Sequence, residues 1–164
     1  NLDNAFLTDN YSTSTDVLVV MAQTAEQQCG SYAFIDAINY FQGYMGSVAG
    51  VQSSASLADV SKLVIMGMNE GNPKWNDVSR NQLILNNSLS RAPSGLRNTD
   101  CSMAPVIFFL DDHKADTLTG VVDAVAEFVT QPATKRDRRG AKAAVRCLDL
   151  QGPLVDEPLG GQHR

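Results

Sequence analysis

The sequence predicts an α+β domain: a split βαβ sandwich of ferredoxin-like topology. In that arrangement a four-stranded antiparallel sheet carries two helices on one face, with a helical pair inserted between strands 2 and 3. Three observations lead there. Short runs rich in β-branched and aromatic residues stand at Asp16–Thr24 and Met103–Leu110. Each is followed by an apolar stripe of helical period. The 164 residues are 43% hydrophobic, which suffices for one domain with a real core.

Taken in order, residues 1–14 are polar around isolated Leu2, Phe6 and Leu7, and read as a linker or arm. Asp16–Thr24 is continuous rather than alternating, so it predicts a first strand buried on both faces. Phe34, Ala37, Ile38, Phe41 and Met45 then recur at spacings of three and four, one face of a helix. Ser31 can cap its start and Gly46 can stand just past its end. Val48–Ala55 alternates loosely and returns as a second strand.

Leu57–Met68 is helical, with Leu57, Val60, Val64 and Met68 on its apolar face. Asn72-Pro73 ends it, because the residue before proline is pushed out of the α region. Asp77 or Ser79 can cap the next helix, whose apolar members are Leu83, Ile84, Leu85 and Leu89. These two helices form an insertion spanning 57–92. Met103–Leu110 is the third strand, and Pro105 within it points to an early or edge position. Asp111-Asp112-His113 turns into a helix from about Ala115, with Leu118, Val121, Val122, Val125, Phe128 and Val129 as its stripe. Ala143–Leu150 alternates and predicts a fourth strand. The domain thus spans 15–150, and 151–164 reads as a mobile tail.

In this topology the first and third strands are central antiparallel neighbours. Cys29 follows the first and Cys101 precedes the third, so the fold brings them close. They can form a disulfide in an oxidising compartment, or stay two unrelated thiols. Cys147 reads as a small buried strand residue.

Composition excludes some function classes. A net charge of −5 argues against a nucleic-acid partner, which would need a basic face. The longest apolar run, Val17–Ala22, is far short of the ~20 residues of a membrane helix. The chain opens Asn-Leu-Asp without a basic-then-apolar leader, and reads as processed or as part of something longer. It contains no nucleophile elbow, phosphate loop or dinucleotide fingerprint, and its three cysteines fit no metal spacing. No catalytic residue, metal site or cofactor is therefore assigned. His163 lies in the tail, and His113 beside two aspartates reads as surface at a capped helix start rather than as a base or ligand. Met66, Met68 and Trp75 are the candidate surface for an apolar substrate or partner, against the plainer reading that they are core.

Several stretches together resemble a known family. They are Thr15-Asp-Val-Leu-Val-Val20, Gly50-Val-Gln-Ser53, Ser56-Leu-Ala-Asp-Val60 and Asn69-Glu-Gly-Asn-Pro-Lys-Trp75. Asn81-Gln82, Asp100-Cys-Ser102, Asp112-His-Lys114 and Thr117-Leu118 complete the set. The pattern, over about Phe6–Phe128, resembles the large periplasmic loop of RND-superfamily exporters, the MMPL-like predicted exporters among them. The resemblance implies a porter-type domain in the periplasm, within a proton-driven transporter of the bacterial inner membrane that moves hydrophobic or amphiphilic molecules. It implies no enzyme activity, since the proton relay of such proteins lies in their transmembrane helices. The implied partners are the remaining domains of the same transporter. The alternative is a stand-alone small-molecule-sensing or dimerisation module of the same topology, forming a homo-oligomer through its sheet. From Thr134 onward the sequence departs from the family pattern, and the fourth strand falls in that departure.

Overall fold

The computed structural model describes residues 16–112 and 114–130 and the short strand Arg146–Cys147. The arm 1–14, the tail 151–164, His113 and His163 lie outside the described residues.

Strand β1 (Val17–Gln23) pairs antiparallel with β3 (Met103–Leu110) along its whole length, and β2 (Val51–Ala55) pairs antiparallel with the other edge of β3. Four helices accompany these strands: α1 (Tyr32–Met45), α2 (Leu57–Met68), α3 (Gln82–Leu89) and α4 (Ala115–Thr130). The α+β class stands, but the expected four-stranded sheet is corrected to a three-stranded antiparallel one, β2-β3-β1. Among the described residues, Arg146–Cys147 (β4) pairs on the free edge of β1, with Gln23 and Ala22. The remainder of the expected strand Ala143–Leu150 lies outside the described residues.

Pro105 lies in the central strand, not at an edge. Leu110 N donates to Asp16 O and Thr24 N to Ser102 O, which fixes alternate pairs as hydrogen-bonded. Met21–Pro105 is then a non-hydrogen-bonded pair, so the missing N–H faces the β2 side. There β2 has already ended, its last pair being Ala55–Ile107. Proline breaks no ladder bond at that point.

Helices cover one face of the sheet. Alternate residues of β3, Ala104, Val106, Phe108 and Leu110, are fully buried beneath them. Phe41 of α1 meets Phe108 edge-on at 5.5 Å and Phe128 of α4 at 4.9 Å between ring centres. Such pairs contribute about 0.5–1.5 kcal/mol each beyond their area. The helical pair joins this same core through Leu57, Val78, Leu85 and Leu89. The buried face of α2 differs from the expected one: Leu57, Ala58, Ser61 and Ile65 are buried, while Val60 and Val64 are half-buried and Met68 is exposed. α2 packs against α3, where Ser61 Oγ and Ser88 Oγ share a buried 2.8 Å hydrogen bond, and this turns the small polar residue inward.

Local chemistry sets the boundaries. Ser31 caps α1 by accepting from Phe34 N, as its sequence position suggested. Gly46 stands just past the end of α1, in a right-handed conformation, and its N–H donates to Gln42 O. Ser56 and Asp59 form a full capping box on α2. α3 is capped by Asn81, which accepts from Leu83 N, rather than by Asp77 or Ser79.

β2 starts at Val51, three residues later than expected, because Gly50 makes the turn. Gly50 has φ +91° and its carbonyl accepts from Asp111 N. A Cβ there would stand 2.6 Å from Thr117 Cγ2. Gly50→Ala is therefore expected to destabilise the fold by roughly 3 kcal/mol, combining left-handed strain with overpacking. Adding Thr117→Ser removes the clashing methyl and should recover only the overpacking part. Urea midpoints of the two variants check this; equal midpoints would show that the clash carries no weight.

Asp112 sits at the start of α4. Its Oδ1 accepts from Thr117 Oγ1 at 2.6 Å and from Lys114 N, and its Oδ2 pairs with the Lys114 ammonium. Lys114 first, then Thr117, holds the carboxyl at about 2, below its ordinary 3.8. A depressed folded pKa stabilises the folded state above the unfolded value, and that stabilisation is lost as pH falls. Stability should thus drop between about pH 4 and pH 2. Urea titrations at stepped pH should show a shallower acid limb for Asp112→Asn than for the parent.

Candidate functional site

The sheet presents two unlike faces. Residues opposite one another across an antiparallel pair point to the same side. On the side away from the helices, Val17, Phe109 and Ser53 form one row across the three strands, and Val19, Ile107 and Ala55 form the next. Met21 with Pro105 and Gln23 with Met103 continue the surface toward the other end. Val17 is 49% and Val19 43% exposed, and their strand neighbours are half-buried. Only Gln23 and Ser53 among these are polar. This corrects the expectation that β1 is buried on both faces. The run Val17–Ala22 is apolar on both sides, yet among the described residues the helices cover one side alone.

A contiguous apolar face of this kind usually marks an interaction surface. Sequence reasoning missed it. The signal that could have found it was the pairing of a non-alternating β1 with Ile107 and Phe109 on a strand whose even positions already fill the core.

Met66, Met68 and Trp75 do not lie on this face. They belong to the end of α2 and the short turn Pro73–Trp75, which packs against α2. Met68 and Trp75 are exposed and Met66 is half-buried, so the plain core reading fails for the first two. Leu63 on α2 and Leu83 and Ile84 on α3 are exposed as well. The helical pair therefore carries a second, more scattered apolar surface.

Cys29 and Cys101 are joined in a disulfide, with their Cα atoms 5.0 Å apart. It ties the turn after β1 to the segment entering β3. Three backbone bonds flank it: Thr24 N to Ser102 O, Gln27 N to Asp100 O and Cys29 N to Cys101 O. Cys29 is fully buried and Cys101 half-buried. Beside the bond opens a cleft of about 510 Å³. Its walls come from residues 27–31, from α3 and from Arg97, and Leu57 and Leu89 lie at its base.

The most saturated polar cluster lies elsewhere and has no spare valence for a substrate. Gln42 Nε2 donates to Ser54 Oγ and Asp59 Oδ2, and Ser56 Oγ donates to Gln42 Oε1 at 2.6 Å. Lys62 completes it by pairing with Asp59 at 2.9 Å and donating to Asn39. This network is a joint between α1 and the β2–α2 corner. Among the described residues no group of three or more His, Cys, Asp or Glu could hold a metal, and no helix is long and apolar enough to cross a membrane.

The stretches that carry the family resemblance turn out to be structural joints. Gly50 meets Thr117, Ser56 and Asp59 cap α2, and Asn81 caps α3. Gln82 bridges α3 to the turn before α1, Cys101 carries the disulfide, and Asp112 accepts from Thr117 Oγ1 at the start of α4. Compared with protein-family models, curated proteins and solved structures, the chain returns no match.

The disulfide spans 72 residues of chain. On the chain-entropy model a cross-link of that span stabilises by about 4 kcal/mol. Replacing both cysteines by serine is expected to lower the unfolding free energy by about 3–4 kcal/mol, read from urea melts without reductant. Parent protein melted with excess dithiothreitol should shift toward the same midpoint; an unchanged midpoint for the double variant would show the bond to be idle.

Proposed function

We propose that this chain is a non-enzymatic, extracytoplasmic domain of an RND-type exporter. In this reading the apolar sheet face packs on another domain of the same transporter, and relative movement of the two opens a path for a hydrophobic or amphiphilic substrate. The observation that carries it is the uncovered apolar face of β1 and β3, built from a strand whose composition suits burial on both sides. Two further facts support it. The Cys29–Cys101 disulfide suits an oxidising compartment such as the periplasm. Several of the resembling stretches hold elements together, as at Ser56 with Asp59 and at Gln82. The full-length protein would then sit in the bacterial inner membrane, with this domain on the periplasmic side.

The same face could instead join two copies of the chain, which is the dimerisation reading. One experiment separates the two. A photoreactive amino acid is placed at Val19 or Ile107, and cross-linking is carried out in the cells that make the protein. The expected adduct joins this domain to another segment of a membrane-embedded polypeptide, in the membrane fraction. A soluble cross-linked homodimer would sink the exporter reading and install the dimerisation module. Val19→Asp should abolish either cross-link while leaving the urea midpoint within about 1 kcal/mol of the parent, because the side chain is on the open face.

A further inference from the structure

The Cys29–Cys101 bond joins two loops that carry polar bonds of their own. On the β3 side, Asn98 Oδ1 accepts from Ser102 N at 2.9 Å and from Met103 N at 3.0 Å. Its Nδ2 donates to Ser102 Oγ at 2.9 Å, and Cys101 N donates to Asn98 O. One asparagine thus closes 98–103 into a loop. On the β1 side two turns follow each other, Gln28 N to Ala25 O and Ser31 N to Gln28 O. Gln82 Nε2 on α3 fastens them by donating to Gly30 O at 2.7 Å. The three backbone bonds from Thr24, Gln27 and Cys29 then dock one loop on the other. Such bonds contribute about 0.5–1.5 kcal/mol each. They keep the loops together when the S–S bond is open, so the sulfurs need no search over the intervening 72 residues to meet again.

The two cysteines are not equally reachable. Cys29 is fully buried, whereas Cys101 is half-buried and forms part of the wall of the cleft. The one charged residue of that lining is Arg97, in a chain of net charge −5. A guanidinium there favours the thiolate of an incoming group over its thiol, and the thiolate is the form that attacks. Disulfides that an outside thiolate can reach are the labile, regulatory ones, while enclosed ones resist exchange.

We infer that the Cys29–Cys101 bond is a reversible thiol-exchange site, opened by a dithiol reductant that attacks Cys101 Sγ through the cleft. The attacking thiolate forms a new S–S bond to Cys101. The old bond breaks, and its electron pair leaves on Cys29 Sγ, which takes up a proton. The second thiol of the reductant then attacks its own sulfur in the mixed disulfide. Cys101 leaves as a thiolate and is protonated, and the reductant departs as a disulfide. Two electrons and two protons have passed to the protein. The bond lies at the end of the β1–β3 ladder, next to the pair Gln23–Met103 that also ends the open sheet face. Its redox state therefore sets how firmly that end of the face is held. The inference goes beyond the exporter reading and does not need it, since exchange is a property of the chain by itself.

The test reduces the full chain without denaturant over a range of dithiothreitol concentrations. Samples are quenched in acid and alkylated, and peptide mapping separates Cys29 and Cys101 from Cys147. The rate of bond loss is expected to rise linearly with dithiothreitol, and backbone amide shifts to change only near residues 24–31 and 97–103. A rate that levels off would mean that reduction waits for unfolding, and a collapse of all amide dispersion would mean that the reduced chain does not stay folded; either overturns the site. A dithiol oxidoreductase whose second cysteine is replaced by serine should be trapped as a mixed disulfide on Cys101, and an adduct on Cys29 would contradict the route through the cleft. Arg97→Gln should slow the reaction about three- to tenfold at low salt and less at high salt, and a parental rate at both would do the same. Arg97 is exposed, so this variant should keep the parent urea midpoint. None of these outcomes bears on the cross-linking result for the sheet face, so the two readings fail separately.

Discussion

The antiparallel pairing of β1 with β3 is the constraint on which the rest of this structure depends. It runs the full length of both strands and joins segments some eighty residues apart in sequence. Closing so long a loop is entropically costly, and the cost is offset at one end by the Cys29–Cys101 bond and its three flanking backbone hydrogen bonds. At the other end Leu110 N reaches Asp16 O, and Asp111 N reaches Gly50 O. The ladder is thus clamped at both ends. Every helix then packs on the side where Phe108 and its alternate neighbours already point.

That arrangement makes the sheet asymmetric, and the asymmetry is where function becomes readable. A two-layer sandwich needs apolar residues on one sheet face only. Here the second face is apolar too, from Val17 and Phe109 to Met21 and Pro105, although nothing among the described residues packs on it strongly enough to bury Val17 and Val19. The polar chemistry is concentrated elsewhere: in the closed Gln42–Ser56–Asp59 joint, which is saturated, and in the cleft beside the disulfide, where Arg97 is not.

Much of the fold was legible in the residues. β1, β3, α1 and α4 are read from periodicity, because each pairs a strong pattern with a local stop or cap such as Ser31 or Asp111-Asp112. The approach of Cys29 to Cys101 followed from placing the first and third strands side by side. The inserted helices were harder. Their apolar residues go all the way round, so the stripe Leu57–Val60–Val64–Met68 was as plausible as the face that is buried, and only the Ser61–Ser88 contact at the helix pair selects the latter. Asn81 was passed over as a cap because Asp77 and Ser79 are equally good capping residues nearby. Of Met66, Met68 and Trp75, the last two are exposed and Met66 is half-buried; the larger apolar face on the sheet was not legible.

The sequence by itself determined the α+β class, the order of the main elements and the net charge of −5. All of these depend on local patterning or on composition. Tertiary structure alone decided the rest. Among the described residues it paired Arg146–Cys147 with the edge of β1, put Pro105 safely inside the central strand, left Val17 and Val19 exposed on one sheet face, and gathered Gln27, Asn86 and Arg97 around one cleft. The physical reason is common to all four. Each depends on which groups meet across long stretches of chain, through strand register and helix packing, and a one-dimensional pattern states that a residue wants a neighbour without saying which one it will have.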